Sequence, residues 1–157
     1  MELKYQKATI DDLELLVDLR LTVLRAANRL DDSVDLAQVR ENTRAYYKTA
    51  LQDKSHLAYL VYDETSLVGT GGISFYRVMP TYHNPTGENA YIMNMYTSPA
   101  YRNRGIATHL LQQLVSDARA LGISRITLDA TPMGRPLYER FGFIPMPAEM
   151  ELPQQQD

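Results

Sequence analysis

Apolar and polar positions alternate from Leu3 to Ala8, the period of a half-buried strand. At Thr9 the pattern changes. Leu13, Leu16, Val17 and Leu24 then share one helical stripe that runs to about Ala27. Thr9 with Asp11 and Asp12 supplies a start for this helix, a hydroxyl cap followed by acids near the positive end of its dipole. Asn28 to Asp35 is polar and acidic and predicts a loop, and a second helix follows from about Leu36 to Leu51 with Val39, Tyr46, Tyr47 and Leu51. His56 to Tyr62 and Leu67 to Tyr76 predict two strands folded back on each other across the turn Asp63-Glu64-Thr65-Ser66. Gly69, Gly71 and Gly72 in the second of these suggest a bulge or a close approach of backbone.

Arg77 to Asn89 holds two prolines and a glycine and predicts the longest loop, of a length that is often functional. Ala90 to Tyr96 is the next strand. The clearest helix runs from Gly105 to Leu121, where Ile106, Ala107, Leu110, Leu111, Leu114, Val115, Ala118 and Leu121 form one broad apolar face and Gly122 ends it. Ser124 to Ala130 predicts a strand. A short helix must begin near Gly134, because Pro136 is tolerated only in a first turn. Gly142 closes it, and Phe143 to Ile144 leads into a last extended pair. The order predicts a mixed α/β domain on one sheet: neighbouring strands pair antiparallel, and a crossover helix makes one pair parallel. No internal repeat interrupts it.

Composition narrows the chemistry. At 157 residues the chain is long enough for one domain, 1–157, with its own core, and the glutamine-rich tail from about 153 is expected to be disordered. Hydrophobic residues at 45% and charged residues at 22% are those of an ordinary soluble protein. A net charge of −3 argues against nucleic acid as partner. Lack of cysteine removes disulfides, thiolate nucleophiles and cysteine metal sites, and the three scattered histidines lack ligand spacing, so no metal is expected. The first residues carry no apolar signal core and no window reaches a membrane span, so a cytoplasmic protein without membrane contact is expected.

The candidate chemistry sits where the strand ending at Ser98-Pro99 gives way to Arg102-Asn103-Arg104-Gly105-Ile106-Ala107-Thr108. A strand, a basic turn with glycine and an immediate helix start make a place where first-turn N–H groups and the helix dipole hold an anion. Gly105 keeps a side chain off that opening, Ala107 adds little bulk, and Arg102 and Arg104 add charge. A lone motif of this kind is equally served by Asn103 capping a helix, with the arginines as a solvated pair. The strand upstream and a second motif downstream decide for a diphosphate.

This segment resembles the acetyl-CoA signature of the GNAT N-acetyltransferase superfamily, Arg/Gln-x-x-Gly-x-Gly/Ala after a strand that ends near a proline. Asp129-Ala-Thr-Pro-Met-Gly-Arg-Pro-Leu-Tyr-Glu-Arg-Phe-Gly-Phe143 resembles its second signature, which ends Leu-Tyr-Glu-x-x-Gly-Phe. Ala-Thr-Ile-Asp-Asp-Leu near the start resembles the usual entry into the first helix. The likeness covers nearly the whole chain, with its specific motifs at about 94–108 and 126–143. It implies a GNAT-type α/β fold: a mostly antiparallel central sheet of roughly six or seven strands with one parallel pair, flanked by about four helices. It also implies an enzyme moving an acetyl group from acetyl-CoA directly to a primary amine.

By matching position, the backbone of Met95, Tyr96 and Thr97 would bind the pantetheine arm and steady the thioester oxygen. Residues Arg102, Asn103, Arg104, Gly105, Ile106, Ala107 and Thr108 would hold the pyrophosphate. Tyr138 would protonate the departing thiolate. Thr131 stands where many members place an asparagine that meets the cofactor. No base is evident: Glu88, Asp129 and His83 are candidates, and a water chain serves as well. Asp31, Asp32 and Asp35 could draw a cationic acceptor, and Tyr76, Tyr82 and Tyr91 could wall it, although a solvated acidic loop and ordinary packing explain both groups. A small-molecule or peptide amine is the expected partner. A protein or aminoacyl-tRNA acylase and a non-catalytic acyl-CoA sensor are the alternatives, and homodimerisation through the sheet edge is common in the superfamily.

Overall fold

Four strands pair in chain order, each antiparallel to the one before. They are β1 (Leu3–Lys7), β2 (His56–Asp63), β3 (Ser66–Arg77) and β4 (Glu88–Thr97). β5 (Arg125–Leu128) then joins β4 in parallel. The computed structural model describes residues 2–155. Its helices are α1 (Leu13–Asn28), α2 (Ala37–Asp53), α3 (Ile106–Ala120) and α4 (Arg135–Phe141). Alternation along the strands gives the sheet two apolar faces. Tyr59, Val61, Ile73 and Ile92 pack under α3 through Leu110, Leu111 and Leu114, with Leu137 and Phe141 of α4 against the same cluster. Ala58 and Leu60 face the other way, onto Leu16 and Val17 of α1 and Tyr47 of α2. Burying each large aliphatic side chain in these layers contributes about 1.5–3 kcal/mol, so the two-sided sheet is the main source of stability.

Local signals place most element ends where the pattern predicts them. Thr9 accepts from Asp11 N–H at 3.3 Å and Asp12 Oδ2 accepts from Thr9 N–H at 2.8 Å, a capping box on the short turn that leads into α1. The expected loop after β3 spans residues 78–87, tied at its base by Asn84, whose Nδ2 donates to Asn89 Oδ1 at 2.9 Å.

The sheet departs from expectation at its last edge. Five strands are present among the described residues, rather than six or seven, and the extended pair expected from Phe143–Ile144 onward does not form. Pro145 and Pro147 remove two ladder donors, two residues apart, from that segment, so it cannot zip onto β5. The expectation for the tail falls partly on residues 156–157, which lie outside the described residues. No described helix is long and apolar enough to cross a membrane.

One irregularity positions the site. Thr70 faces Tyr96 and Gly72 faces Met93, so Asn94 and Met95 of β4 stand opposite the single Gly71 of β3. This is a β-bulge, and Asn94 takes the left-handed conformation, φ 59°, that the extra residue requires. The glycines of β3 thus mark the bulge, but the added residue lies in its partner. Gly71 serves close approach: a Cβ there would lie 2.6 Å from Met95 Sδ and 3.5 Å from Leu114 of α3.

Candidate active site

β4 and β5 are paired only from Asn89↔Arg125 to Ile92↔Leu128. Beyond that point the bulge carries β4 away and β5 ends, so the backbone of residues 93–97 has no partner on its β5 side. The opening left between the strands faces the first turn of α3. Together they form a cleft of about 670 Å³ lined by Met95, Tyr96, Thr97, Arg102, Asn103, Gly105, Ile106, Ala107, Thr108, Thr131 and Tyr138. Every residue expected to hold the cofactor except Arg104, together with Tyr138, therefore meets at one place, while the base candidates Glu88, Asp129 and His83 and the acidic residues Asp31, Asp32 and Asp35 lie outside this lining. Arg104 lies outside this lining, with its guanidinium over the Tyr101 ring at 5.1 Å. Tyr101, Met133, Gly134, Pro136, Leu137 and Arg140 complete the wall. Their roles were not legible, because each is an unremarkable residue brought near by the turn into α4 or the turn before α3.

The helix end is built to stay open. Gly105 is the N-cap of α3 at φ 83°, a conformation that costs most residues with a side chain about 1–2 kcal/mol, and a Cβ there would meet nothing within 4 Å. No side chain caps the helix. Asn103, at φ 63°, belongs to the turn and does not fill the capping role open to it in the sequence. The first intrahelical bond runs from His109 N–H to Gly105 C=O at 3.0 Å, which leaves the N–H groups of Ile106, Ala107 and Thr108 without intrahelical acceptors at the positive end of the dipole. Donors in that number at a solvent-facing opening fit the diphosphate of a nucleotide-bearing ligand. The turn itself is fixed. Tyr101 Oη donates to Asp63 at 2.6 Å, and Arg102 Nε donates to the Thr97 carbonyl at 3.3 Å.

On the far wall, Thr131 Oγ1 accepts from Gly134 N–H at 3.2 Å and so shapes the turn that starts α4. Tyr138 projects from α4 with its ring edge-on to Phe143, centroids 6.1 Å apart. Partial burial raises its pKa above the ordinary phenol value, so it enters any reaction at neutral pH as an acid that still holds its proton.

Behind the bulge, on the face covered by α1 and α2, lies a polar cluster that no sequence motif announced. Arg20 Nη1 of α1 donates to Asn94 Oδ1 at 3.1 Å. His56 is 2% exposed, with Nδ1 2.9 Å from Tyr46 Oη and 3.0 Å from Ser74 Oγ. Its Nε2 has no partner, and a Cβ at Gly72 would lie 2.7 Å from it. Burial, helped by the Arg20 charge, drives the His56 pKa down from 6.5 to about 4. The unfolded chain therefore takes up this proton well before the folded one. Stability is full above pH 6.5 and is expected to fall as pH drops toward 4, by about 2 kcal/mol at pH 5. Urea denaturation at pH 7.5 and pH 5 measures this. His56→Leu should flatten the dependence, and an equal loss in that variant would assign it elsewhere.

The acidic loop is occupied with its own turns. Asp31 Oδ1 accepts from Ser33 N–H at 2.9 Å, and Asp35 Oδ1 accepts from Ala37 N–H at 2.9 Å at the start of α2. Among the described residues no three metal-ligating side chains gather as a metal site. A larger cleft, about 990 Å³, lies elsewhere, between the outer edge of β5 and residues 141–149. It lacks the helix end, the parted strands and Tyr138, which belong to the smaller one.

Comparisons with known proteins agree with this geometry. The Acetyltransferase (GNAT) family model matches residues 24–143. A predicted acetyltransferase from Clostridium acetobutylicum, solved with acetyl-CoA, is 32% identical over 97% of this chain and 96% of that one, with a TM-score of 0.89. A GCN5-related N-acetyltransferase from Ralstonia eutropha JMP134 is 29% identical over 98% and 99% of the two chains, with a TM-score of 0.86. Glucosamine-6-phosphate N-acetyltransferase from Arabidopsis thaliana, 15% identical with full coverage of both chains and a TM-score of 0.70, speaks for the fold alone. No curated protein matches the sequence. With its two signatures folded around one cleft and the family model spanning 24–143, this chain belongs to the GNAT acetyltransferase family.

Proposed function

We propose that this protein transfers the acetyl group of acetyl-CoA directly to a primary amine, acting in the cytoplasm as its sequence suggests. The observation that carries this reading is the uncapped, glycine-started N-terminus of α3, which opens onto the same cleft as the unpaired part of β4 and the Tyr138 phenol. Arg102 and the first-turn amides from Gly105 to Thr108 hold the diphosphate, with Asn103 and Arg104 shaping the turn. The pantetheine arm lies along Met95, Tyr96 and Thr97, taking the hydrogen bonds that β5 does not make. A β4 amide then receives the thioester oxygen as it gains charge in the transition state.

The acceptor nitrogen attacks the carbonyl carbon, a C–N bond forms and the C–S bond breaks. Tyr138 delivers its proton to the departing sulfur; burial holds the phenol above its reference value of about 10, against about 8.5 for a thiol, so the proton moves as the C–S bond breaks and charge builds on sulfur. Holding both reactants in one complex makes the transfer effectively unimolecular. Calorimetric titration with acetyl-CoA, followed by thiol release across a panel of primary amines, tests the reading. Saturable binding and thiol release that depends on the added amine are expected. Tight binding without acceptor-dependent release would replace it with an acyl-CoA sensor, and failure to bind would end it.

A further inference from the structure

The cleft as described lacks a group to receive the acceptor's charge and proton. Of the three candidates in the sequence, two stand away from the parting of the strands. Glu88 opens β4 at the opposite end from the bulge, and His83 sits in the preceding loop beside Tyr82. Asp129 is placed differently. It follows Leu128, the last β5 residue paired to β4, and its Oδ2 accepts from Tyr91 Oη at 2.7 Å. Tyr91 precedes Ile92, the other member of that last pair, so the two side chains bridge the strands where they separate. Ile92 packs under α3, which puts Tyr91 on the opposite face, the one that carries Arg20 and Asn94.

Asp129 and Tyr138 share the wall of a second cleft of about 280 Å³, and Tyr138 also lines the larger one. Tyr138 thus borders two openings. One suits acetyl-CoA, and the other ends on a carboxylate.

Resting on the acetyl-transfer reading above, we infer that Asp129, held in place by Tyr91, binds the acceptor's ammonium group and takes its proton, which makes a cationic primary amine the substrate class. Burial, with the Asp129 charge adding to it, pushes the Tyr91 phenol up to about 12, so it remains a donor and Asp129 remains the acceptor. Arg20 and Glu149 also act on that phenol, and on α4 the Arg135 guanidinium is engaged by Glu139 at 2.6 Å. Asp129 is exposed, so a proton taken from the ammonium passes to water. The neutral amine then attacks. A second N–H proton, lost as the amide forms, balances the one that Tyr138 gives to sulfur, and the net products are amide, free thiol and one solvent proton. Tyr91 is a positioning residue in this scheme, and Asp129 is a catalytic one.

The test compares wild type with Asp129→Asn, Asp129→Glu and Tyr91→Phe, using a primary amine acceptor between pH 6 and 9. Asp129→Asn should lower kcat/KM for the amine about a hundredfold, with unchanged acetyl-CoA affinity by calorimetry. Its remaining activity should climb with pH, because only acceptor that arrives neutral can react. Asp129→Glu should recover part of the loss, and Tyr91→Phe should lose about five- to tenfold while keeping the wild-type pH profile. Wild-type kcat/KM and pH profile in Asp129→Asn, in an enzyme that does transfer acetyl groups, would overturn this assignment and leave the proposed reaction standing. A wild-type protein that acetylates no amine would overturn both.

Discussion

Tyr138→Phe is expected to lower kcat about a hundredfold while the dissociation constant of acetyl-CoA stays within about twofold of wild type. The ring itself is held by packing: it meets Phe143 edge-on and belongs to the cluster under α3. Phenylalanine keeps those contacts and removes only the hydroxyl. In the proposed reaction what is lost is the proton for the leaving sulfur, so the defect is expected in turnover and not in binding. The same logic gives a second readout. An acetyl donor with a more acidic thiol needs that proton less, so the gap between variant and wild type should shrink with such a donor. Turnover in Tyr138→Phe equal to wild type would remove this residue from the reaction.

Gly105→Val attacks the other end of the cleft. At φ 83° any β-branched residue is strained, by about 1–3 kcal/mol. The new side chain also projects into space that is empty within 4 Å, the opening over the first-turn amides. Affinity for acetyl-CoA should fall about a hundredfold, the equivalent of losing one or two charge-assisted hydrogen bonds. Acetyl-pantetheine, which has no diphosphate, should bind the variant and the wild type within about threefold. The strain should also lower Tm by roughly 2–12 °C, measurable by differential scanning calorimetry. Equal losses for both ligands would show that the diphosphate does not lie at this helix end.

The parts of this molecule that were legible in its sequence are those encoded by neighbours in the chain. The α3 stripe, the Thr9 box and the Arg102–Thr108 turn each depend on residues within a few positions, and local periodicity reports them. The glycines of β3 carry a less local signal. They signalled an irregularity, but Asn94 in the partner strand is the added residue, and pairing partners are not written in either strand alone. The last extended pair failed for a different reason: apolar Ile144 and Met146 alternate correctly, while the flanking prolines cannot donate to a ladder.

Site residues divide in the same way. Thr97, Gly105 and Tyr138 belong to contiguous motifs. Arg20 with Asn94, His56 with Tyr46, and Tyr91 with Asp129 are pairs that only the tertiary fold brings together. Acidity in the 31–35 loop attracted attention in the sequence, yet Asp31 and Asp35 bond to the amides of their own turns.

Asn94 separates two functions within one strand. Ahead of it Ala90 and Ile92 point under α3, and beyond it Met95 does so again. The extra residue is therefore spliced in without changing the phase of inward and outward side chains. Excising it would leave every neighbour facing its present layer while restoring an unbroken ladder, and the gap between β4 and β5 would have no reason to exist. A lineage that lost this one codon would keep a hydrophobic core with every side chain on its accustomed side and give up the opening proposed to take coenzyme A.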